Sequence, residues 1–315
     1  MAKVFIDGAA GTTGLEIRER LSGRREFSLV QLSDADRKDT RARSAALNAA
    51  NIVILCLPDE AAKQAVGLIE NNGVRVIDAS TAHRTAAGWV YGFPEFEPGQ
   101  YERIAQASRL SNPGCYPTGF LALVRPLIRA GLVPANAALS VNAVSGYSGG
   151  GKAMIEEFEK RDSPVYVETV VRSYALTLAH KHVPEMRIHA GLDHAPVFSP
   201  NVGRYYRGMI VDVPLQLWSL PKKPKPAELH EVLVEAYRGR PLVEVAGLGE
   251  GASLKTLDAE LLKNTNKLRL YVFANEKSEQ ARLVAVLDNL GKGASGAAVQ
   301  SLNLMLGLPE TTGLV

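Results

Sequence analysis

The sequence predicts an α/β protein in two parts. Near the start of the chain, short apolar segments alternate with alanine-rich helical segments, a pattern typical of a parallel sheet that is covered by helices on both faces. Beyond residue 115 the predicted strands are longer, and two of them are spaced as a hairpin. We therefore expect a Rossmann-type domain followed by an α+β domain with a mostly antiparallel sheet.

The predicted elements follow one another along the chain. Strands are expected at residues 3–7, 27–32, 51–57 and 74–78, with helices at 14–21, 42–50 and 59–71. A helix from Cys115 to about residue 131 then precedes strands at 138–144, 208–217, 268–274 and 282–287, with helices at 185–191, 227–237 and 294–306. We place the first domain at residues 1–114, completed by a C-terminal helix within 292–315, and the second at residues 115–291.

The composition indicates which kinds of partner the protein binds. Apolar residues make up 46% of the chain, charged residues 22%, and the net charge is +3, as in an ordinary globular protein. The basic residues are dispersed, so we expect no nucleic-acid partner. We find no signal peptide and no apolar run long enough to cross a bilayer, so we expect no membrane partner. The two cysteines fit a reducing compartment and predict a cytoplasmic enzyme acting on a small molecule.

A glycine-rich turn separates the first strand from the first helix. Gly8, Gly11 and Gly14 are spaced G-x-x-G-x-x-G, with Thr12 and Thr13 before the last glycine. Glycines at such a turn let a pyrophosphate approach the helix N-terminus, where backbone N–H groups and the helix dipole stabilise its charge. The motif predicts that the first domain binds a dinucleotide, and a purely structural turn is the alternative.

The residues after the second strand are expected to contact the adenosine ribose. An acidic residue there suits the free 2′-hydroxyl of NAD, whereas cations suit the 2′-phosphate of NADP. Ser33 and Asp34 are followed by Arg37 and Lys38. Because the two cations can pair with a phosphate that Asp34 would repel, we predict NADP, with Ser33, Arg37 and Lys38 as contacts. A solvated charged turn is the alternative.

Cys115 lies on a tight turn at the predicted start of a helix. Pro113 and Gly114 mark the turn, and Pro117 falls in the first helical turn, where proline is tolerated. Unpaired N–H groups and the positive end of the helix dipole favour the thiolate, which is the nucleophilic form. We predict that Cys115 is a nucleophile. An inert buried cysteine is the alternative, and we expect that role for Cys56.

Six histidines occur, and four of them lie between residues 180 and 194. They lack the spacing of zinc ligands, so we expect no metal. His180 and His182 precede a predicted helix, where catalytic side chains are often presented, and either could exchange protons with a thiolate near neutral pH. The sequence leaves the choice between them open. The other four, His83, His189, His194 and His230, are interpreted as surface or packing histidines.

Candidate substrate contacts lie at two places. Ser80 and Arg84 follow the fourth strand, where ligands of open α/β sheets bind, and Arg84 could pair with a carboxylate or a phosphate. Residues 145–152 are interpreted as a glycine-rich loop whose spacing departs from that of a P-loop. Its backbone amides could still form an anion-binding nest between Ser145 and Lys152.

With these motifs located, the sequence resembles the N-acetyl-gamma-glutamyl-phosphate reductase family, in the shorter of its two types. The resemblance depends on residues 8–14, 78–84 with 90–95, 111–119, 180–185 and 288–300, and so covers essentially the whole chain. It implies an NADPH-dependent enzyme of arginine biosynthesis that reduces N-acetyl-L-glutamyl 5-phosphate to the semialdehyde through a cysteine thioester.

The resemblance also implies roles for particular residues. Cys115 would be the nucleophile, and His180 or His182 would be the acid–base group. The implied substrate contacts are Asn112, Ser80, Arg84, Ser145 and Tyr174. The cofactor contacts would extend beyond the glycine turn to Asn289, Gly293 and Ala294.

Three alternatives remain. Aspartate-semialdehyde dehydrogenase shares the fold type and the thioester chemistry, but the segments at 180–185 and 288–300 point away from it. A reductase of an aminoadipate-type or carrier-bound substrate stays open, because one methylene group is hard to read from a sequence. A nucleotide sensor without catalysis is disfavoured by the intact cysteine and histidines. We expect a homo-oligomer, either a dimer or a tetramer.

Overall fold

The computed structural model describes residues 1–33 and 35–314 of the chain. These residues separate into two compact units. Unit 1 consists of Met1–Pro113 and Ala294–Leu314, and unit 2 consists of Gly114–Gly293. Each unit is built around its own sheet.

Unit 1 contains a parallel sheet. Its strands are β1 (Ala2–Asp7), β2 (Phe27–Val30), β3 (Ile52–Leu55), β4 (Arg75–Asp78), β5 (Val90–Tyr91) and β6 (Arg109–Ser111). Its first helices are α1 (Thr12–Leu21), α2 (Thr40–Ala49), α3 (Asp59–Gly67) and α4 (Gln100–Gln106). Within the described residues the six strands have the order β2-β1-β3-β4-β6-β5, and all of their pairings are parallel.

Both faces of this sheet are buried. Val4 and Ile6 of β1 pack with Ile17 in one hydrophobic cluster, whereas Phe5 packs with Leu47 in another. Successive residues of a strand point to opposite faces, so the two clusters lie on opposite sides of the sheet. This arrangement explains why the strands are apolar throughout, and the predicted Rossmann-type architecture is confirmed.

Unit 2 contains a mixed sheet. Its helices are α5 (Cys115–Arg129), α6 (Gly151–Glu159), α7 (Val183–Ala190), α8 (Pro226–Ala236) and α9 (Leu248–Ser253). Its strands are β7 (Ser140–Gly146), β8 (Val171–Ser173), β9 (Val197–Gly203), β10 (Met209–Gln216), β11 (Val243–Val245), β12 (Leu268–Asn275) and β13 (Gln280–Leu287). As far as the chain is described, these seven strands have the order β11-β12-β13-β10-β7-β9-β8. The pairings β10–β13, β10–β7, β12–β13 and β8–β9 are antiparallel, so the mostly antiparallel sheet is confirmed, and with it the predicted hairpin.

The chain returns to unit 1 in its last helix. A π-helical stretch at Gly291–Ser295 leads into α10 (Gly296–Met305). Arg75 Nη1 donates to the carbonyl of Met305 at 2.7 Å, and Gln300 Nε2 donates to Glu95 Oε1 at 3.0 Å. Among the helices described, none has the length and apolar character needed to span a membrane.

Some local predictions were wrong. Residues 145–152 do not form a loop, because β7 continues through Gly146, a 3-10 turn occupies Tyr147–Gly150, and α6 begins at Gly151. Consecutive glycines concealed this helix start, since glycine disfavours a helix interior. The strand β9 was not predicted, and Pro200 inside it argues against a strand in the sequence.

Candidate active site

Cys115 is the first residue of α5, as predicted. Gly114 before it has an extended backbone and forms the N-cap, and the first turn carries no acidic side chain of its own. The Cys115 side chain is partly exposed and forms no disulfide. The first backbone N–H groups of a helix have no intrahelical partner, and their partial positive charge favours the thiolate form of a cysteine at this position.

Glu185 fixes the turn that precedes the cysteine. Its Oε1 accepts the backbone N–H of Gly114 at 2.8 Å, and only 1% of Glu185 is exposed. Glu185 lies in the first turn of α7, whose N-cap is His182. A carboxylate bound to a buried N–H makes a charge-assisted hydrogen bond, so the cysteine turn is tied to the histidine segment. The motif at 180–185 contains Glu185, but the sequence alone assigns it no role.

His180 and His182 lie side by side. Their ring centroids are 4.7 Å apart, with the ring planes inclined by 76°. The backbone N–H of His182 donates to Nδ1 of His180 at 3.1 Å, so a neutral His180 carries its proton on Nε2. His182 is buried, whereas His180 is partly exposed. The proton that a neutral His180 can donate is therefore the one on Nε2.

Two tyrosines pack against the histidines. Tyr174 Oη donates to Tyr116 Oη at 3.0 Å, and the Tyr116 ring lies 6.1 Å from the His180 ring and 5.8 Å from the His182 ring. Burial raises the pKa of Tyr174 to about 12, the Tyr116 hydrogen bond opposes that rise, and charge on Cys115 adds to it. The pKa of Tyr116 is also raised, first by burial and then by Tyr174 and Cys115. Both phenols are therefore protonated near neutral pH, within electrostatic reach of the thiol.

Ser145 belongs to the same cluster. It is buried at the end of β7, and its hydroxyl donates to the carbonyl of Gly146 at 3.2 Å. A hydrogen bond with Ser145 also lowers the pKa of Tyr116, against the larger effects that raise it. Lys152, the other candidate from this segment, is exposed in the first turn of α6. The structure thus brings Ser145, and not Lys152, to the tyrosines.

The turn after β13 reaches the cysteine. A Cβ built on Gly293 would lie 2.7 Å from the Cβ of Cys115. The nearby Asn289 uses both ends of its side chain within unit 2. Its Nδ2 donates to Ser148 Oγ at 3.0 Å, and its Oδ1 accepts the N–H of Gly208 at 2.8 Å. Both residues were predicted as cofactor contacts. In the structure Gly293 packs against Cys115, and the side chain of Asn289 is bound to Ser148 and Gly208.

The glycine turn of unit 1 excludes side chains. Gly8 has a φ of +89°, and a Cβ on it would lie 2.3 Å from the carbonyl oxygen of Cys56. A Cβ on Gly14 would lie 2.4 Å from the carbonyl oxygen of Gly8, and Gly11 is the N-cap of α1. The buried Thr12 Oγ1 has no hydrogen-bond partner in the part of the chain that the structure describes. These features fit a dinucleotide pyrophosphate at the N-terminus of α1.

The segment after β2 ends in a 3-10 turn at Asp36–Lys38. Ser33 Oγ donates to Asp36 Oδ2 at 2.7 Å and accepts the N–H of the same residue at 3.1 Å. The side chains of Arg37 and Lys38 are exposed, where a phosphate group can reach them. Asp34, which the NAD alternative would use, lies outside the described residues.

Asp78 organises the end of β4. Its carboxylate accepts the backbone N–H of Ser80 at 2.9 Å and the hydroxyl of the same serine at 2.7 Å. His83 Nδ1 lies 2.6 Å from Asp78 Oδ2, and its ring stacks on Trp89 with the centroids 4.0 Å apart. His83 is therefore a packing histidine, as predicted, and the Ser80 hydroxyl proton is already donated within the protein.

Arg84 and Asn112 support the end of β6. Arg84 is buried, and it donates from Nε to the carbonyl of Asn112 at 3.0 Å and from Nη2 to the carbonyl of Ala79 at 3.3 Å. Asn112 Nδ2 donates to the carbonyl of Ala294 at 3.0 Å. Asn112 Oδ1 is buried and accepts no hydrogen bond from the described residues. An unsatisfied buried acceptor is costly, so Asn112 is better placed than Arg84 to accept a hydrogen bond from a ligand.

Comparison with known proteins gives the family. The family model described as "Semialdehyde dehydrogenase, NAD binding domain" matches residues 3–104, and the model described as "Semialdehyde dehydrogenase, dimerisation domain" matches residues 115–289. The N-acetyl-gamma-glutamyl-phosphate reductase of Trichormus variabilis is 50% identical over 99% of this chain and 99% of that protein. The one from Brucella ovis is 54% identical over 97% of this chain and 99% of that protein. The chain belongs to the N-acetyl-gamma-glutamyl-phosphate reductase family.

Solved structures show a wider likeness of fold. Aspartate semialdehyde dehydrogenase II of Vibrio cholerae superposes with a TM-score of 0.71 at 15% identity, over 98% of both chains. The enzyme of Candida albicans, solved with NADP, gives a TM-score of 0.66 at 12% identity, over 98% of this chain and 99% of that one. The relatives at 50% and 54% identity confirm the family predicted from the motifs. With it comes a nicotinamide-nucleotide-binding domain in the first part of the chain and a dimerisation-type domain in the second.

Proposed function

We propose that this protein reduces N-acetyl-L-glutamyl 5-phosphate to N-acetyl-L-glutamate 5-semialdehyde and phosphate, with NADPH as reductant, in L-arginine biosynthesis. The observation that carries the proposal is the position of Cys115, at the start of α5 on a turn tied by Glu185 to the histidine segment. A nucleophile placed beside proton-transfer groups is what the reduction of an acyl phosphate through a thioester requires. The names of the relatives indicate the substrate.

In the first step the Cys115 thiolate attacks the acyl carbon. A C–S bond forms, the C–O bond to phosphate breaks, and phosphate leaves with the electron pair. The histidine segment accepts the thiol proton that must be lost before the attack, and of His180 and His182 we assign this step to His182, because Nδ1 of His180 already accepts the backbone N–H of His182. The amides at the start of α5 favour the thiolate. The thioester lacks the resonance stabilisation of an amide, so its carbonyl carbon remains open to reduction.

In the second step the thioester is reduced. When bound, the reduced nicotinamide supplies a hydride for this carbon. The oxyanion that develops needs hydrogen-bond donors already in place, and Nε2–H of His180 is one such donor in unit 2. The paired phenols of Tyr116 and Tyr174 hold the histidine rings in orientation. Collapse of the oxyanion breaks the C–S bond, releases the semialdehyde and returns Cys115 as a thiolate.

We assign cofactor binding to unit 1 and the covalent chemistry to unit 2. The pyrophosphate contacts are Gly8, Gly11, Thr12, Thr13 and Gly14. The 2′-phosphate contacts are Arg37 and Lys38, whereas Ser33, whose hydroxyl donates to Asp36 Oδ2, shapes the turn that carries them. The exposed cations at 37 and 38 support NADP over NAD, because a 2′-phosphate needs positive partners. Of the contacts predicted near the end of the chain, Ala294 belongs to unit 1 and would contact the cofactor through its backbone, whereas Gly293 belongs to unit 2.

The assembly and location follow from the same proposal. A match to a dimerisation domain supports a homo-oligomer, which we propose to be a dimer or a tetramer. A reactive thiolate must stay reduced, so we propose a cytoplasmic location.

A substrate panel tests the function. The purified chain is given NADP, phosphate and one semialdehyde, and NADPH formation is followed. With N-acetyl-L-glutamate 5-semialdehyde we expect NADP to be reduced only when phosphate is present. Faster turnover with aspartate semialdehyde or an aminoadipate semialdehyde would assign the chain to that substrate instead, and NADP binding without turnover would identify a sensor.

A further inference from the structure

The turn from Asp288 to Gly293, here called the C-terminal turn, touches the nucleophile through its backbone. A Cβ on Gly293 would lie 2.7 Å from Cys115 Cβ and 3.3 Å from Cys115 Cα. Real Cβ contacts are essentially never below 3.0 Å, so any side chain at position 293 would displace Cys115 or the turn. Gly293 is not among the glycines with positive φ. Its conformation is open to other residues, and the requirement for glycine is one of space.

Asp288 holds the C-terminal turn in shape. Its Oδ1 accepts the N–H of Leu290 at 2.8 Å and the N–H of Gly291 at 3.0 Å. Its carbonyl oxygen accepts the N–H of Gly293 at 3.0 Å. One fully buried residue thus binds three backbone donors of the turn, including the residue in contact with Cys115.

The other carboxylate oxygen of Asp288 is fixed from a different loop. Oδ2 accepts the N–H of Asn264 at 2.5 Å and lies 3.6 Å from Arg207 Nη1. The carboxylate therefore has no freedom to rotate, since both of its oxygens are bound to donors. If asparagine replaced Asp288, its NH₂ group would face an N–H donor in either orientation of the amide.

We propose that Asp288 and Gly293 are positioning residues of the reaction. Asp288 fixes the C-terminal turn, and Gly293 supplies the clearance that seats Cys115 at the N-terminus of α5. The proposal rests on the proposed role of Cys115 as nucleophile. It gives Gly293 a function that does not depend on contact with the cofactor.

Alkylation of Cys115 in cofactor-free protein tests this. Iodoacetamide is added near neutral pH, and the Cys115 peptide is quantified by mass spectrometry. In Gly293→Ala we expect the rate constant to fall about fivefold, because the sulfur moves away from the helix N-terminus. We expect kcat to fall about 100-fold, the usual effect of a displacement approaching 1 Å. Asp288→Asn should change both quantities in the same direction.

Matched controls separate positioning from general damage. Gly249→Ala adds a methyl group where nothing lies within 4 Å. Asp212→Asn alters another buried aspartate of unit 2, whose ion pair with Arg282 lies on the sheet. Both control variants should alkylate at the wild-type rate. Thermal unfolding identifies any variant that fails to fold, and the other of the two test variants then decides the outcome.

The outcomes are distinct. If Cys115 were alkylated at the wild-type rate in both Gly293→Ala and Asp288→Asn, and NADP bound more weakly to Gly293→Ala, the positioning role would be overturned and Gly293 would remain a cofactor contact. Undiminished turnover of Cys115→Ser would instead overturn the proposed function. Slower alkylation of Cys115 in folded Gly293→Ala, without any cofactor present, supports the inference.

Discussion

Glu185 offers the most direct test of how the site is held together. Its carboxylate accepts the N–H of Gly114 at 2.8 Å, and both residues are buried. Hydrogen bonds to charged groups contribute about 1.5–3 kcal/mol, and a buried donor left without a partner costs about 1–3 kcal/mol. Glu185→Ala should therefore lower the free energy of unfolding by about 3 kcal/mol. Glu185→Gln retains an acceptor and should lose about 1 kcal/mol.

The activity should fall more than stability alone explains. If the turn at Gly114 relaxes, the sulfur of Cys115 moves, and a shift near 1 Å costs about 100-fold in kcat. Urea unfolding and steady-state kinetics on Glu185→Ala and Glu185→Gln measure the two effects. Glu228 provides the control, because its exposed carboxylate also accepts a backbone N–H, that of Lys225 at 2.7 Å. Glu185→Ala with the stability and kcat of Glu228→Ala would refute the reasoning.

Three further predictions concern the glycine turn, the exposed cations after β2 and Tyr174. Gly14→Ala places a methyl group 2.4 Å from the carbonyl oxygen of Gly8, so the Kd for NADP, measured by fluorescence titration, should rise at least about tenfold. The rate of Cys115 alkylation should stay unchanged, and an unchanged Kd would contradict the assignment of the glycine turn to the cofactor. The double variant Arg37→Ala with Lys38→Ala should lose NADPH activity and keep NADH activity, and parallel losses would argue against a 2′-phosphate contact. The pKa of Tyr174 is raised to about 12 from an ordinary 10.0, so its protonated form is favoured in the fold. The stability that this provides is complete below pH 10 and is lost toward pH 12, and Tyr174→Phe should flatten that loss in unfolding measured against pH.

Local chemistry made much of the fold predictable. The start of α5 at Cys115 follows from Pro113 and Gly114, which end one segment and open the next within a few residues. The first strands could be predicted because both of their faces are buried, which makes their sequences continuously apolar. The short strand β6 and the helix α4 were not predicted, since three and seven residues carry too little pattern to be recognised.

The contacts that shape the site are long-range, and the sequence does not display them. Glu185 and Gly114 are 71 residues apart, yet they share a hydrogen bond. The clearance at Gly293 exists only because the C-terminal turn folds back on Cys115. The motifs indicated which residues matter, but they could not separate a residue that touches a ligand from one that holds its neighbour. Arg84 illustrates this, because its guanidinium is bound to backbone carbonyls.

The central claim is that the sulfur of Cys115 carries the acyl group. The protein is mixed with N-acetyl-L-glutamate 5-semialdehyde and NADP in the absence of phosphate, and both NADPH and the mass of the Cys115 peptide are measured. The account predicts that NADPH formation stops at a single equivalent per active chain, with an acyl group on Cys115, and that added phosphate restarts it. NADPH formation without any acyl group on Cys115, or undiminished turnover in Cys115→Ser, would contradict it.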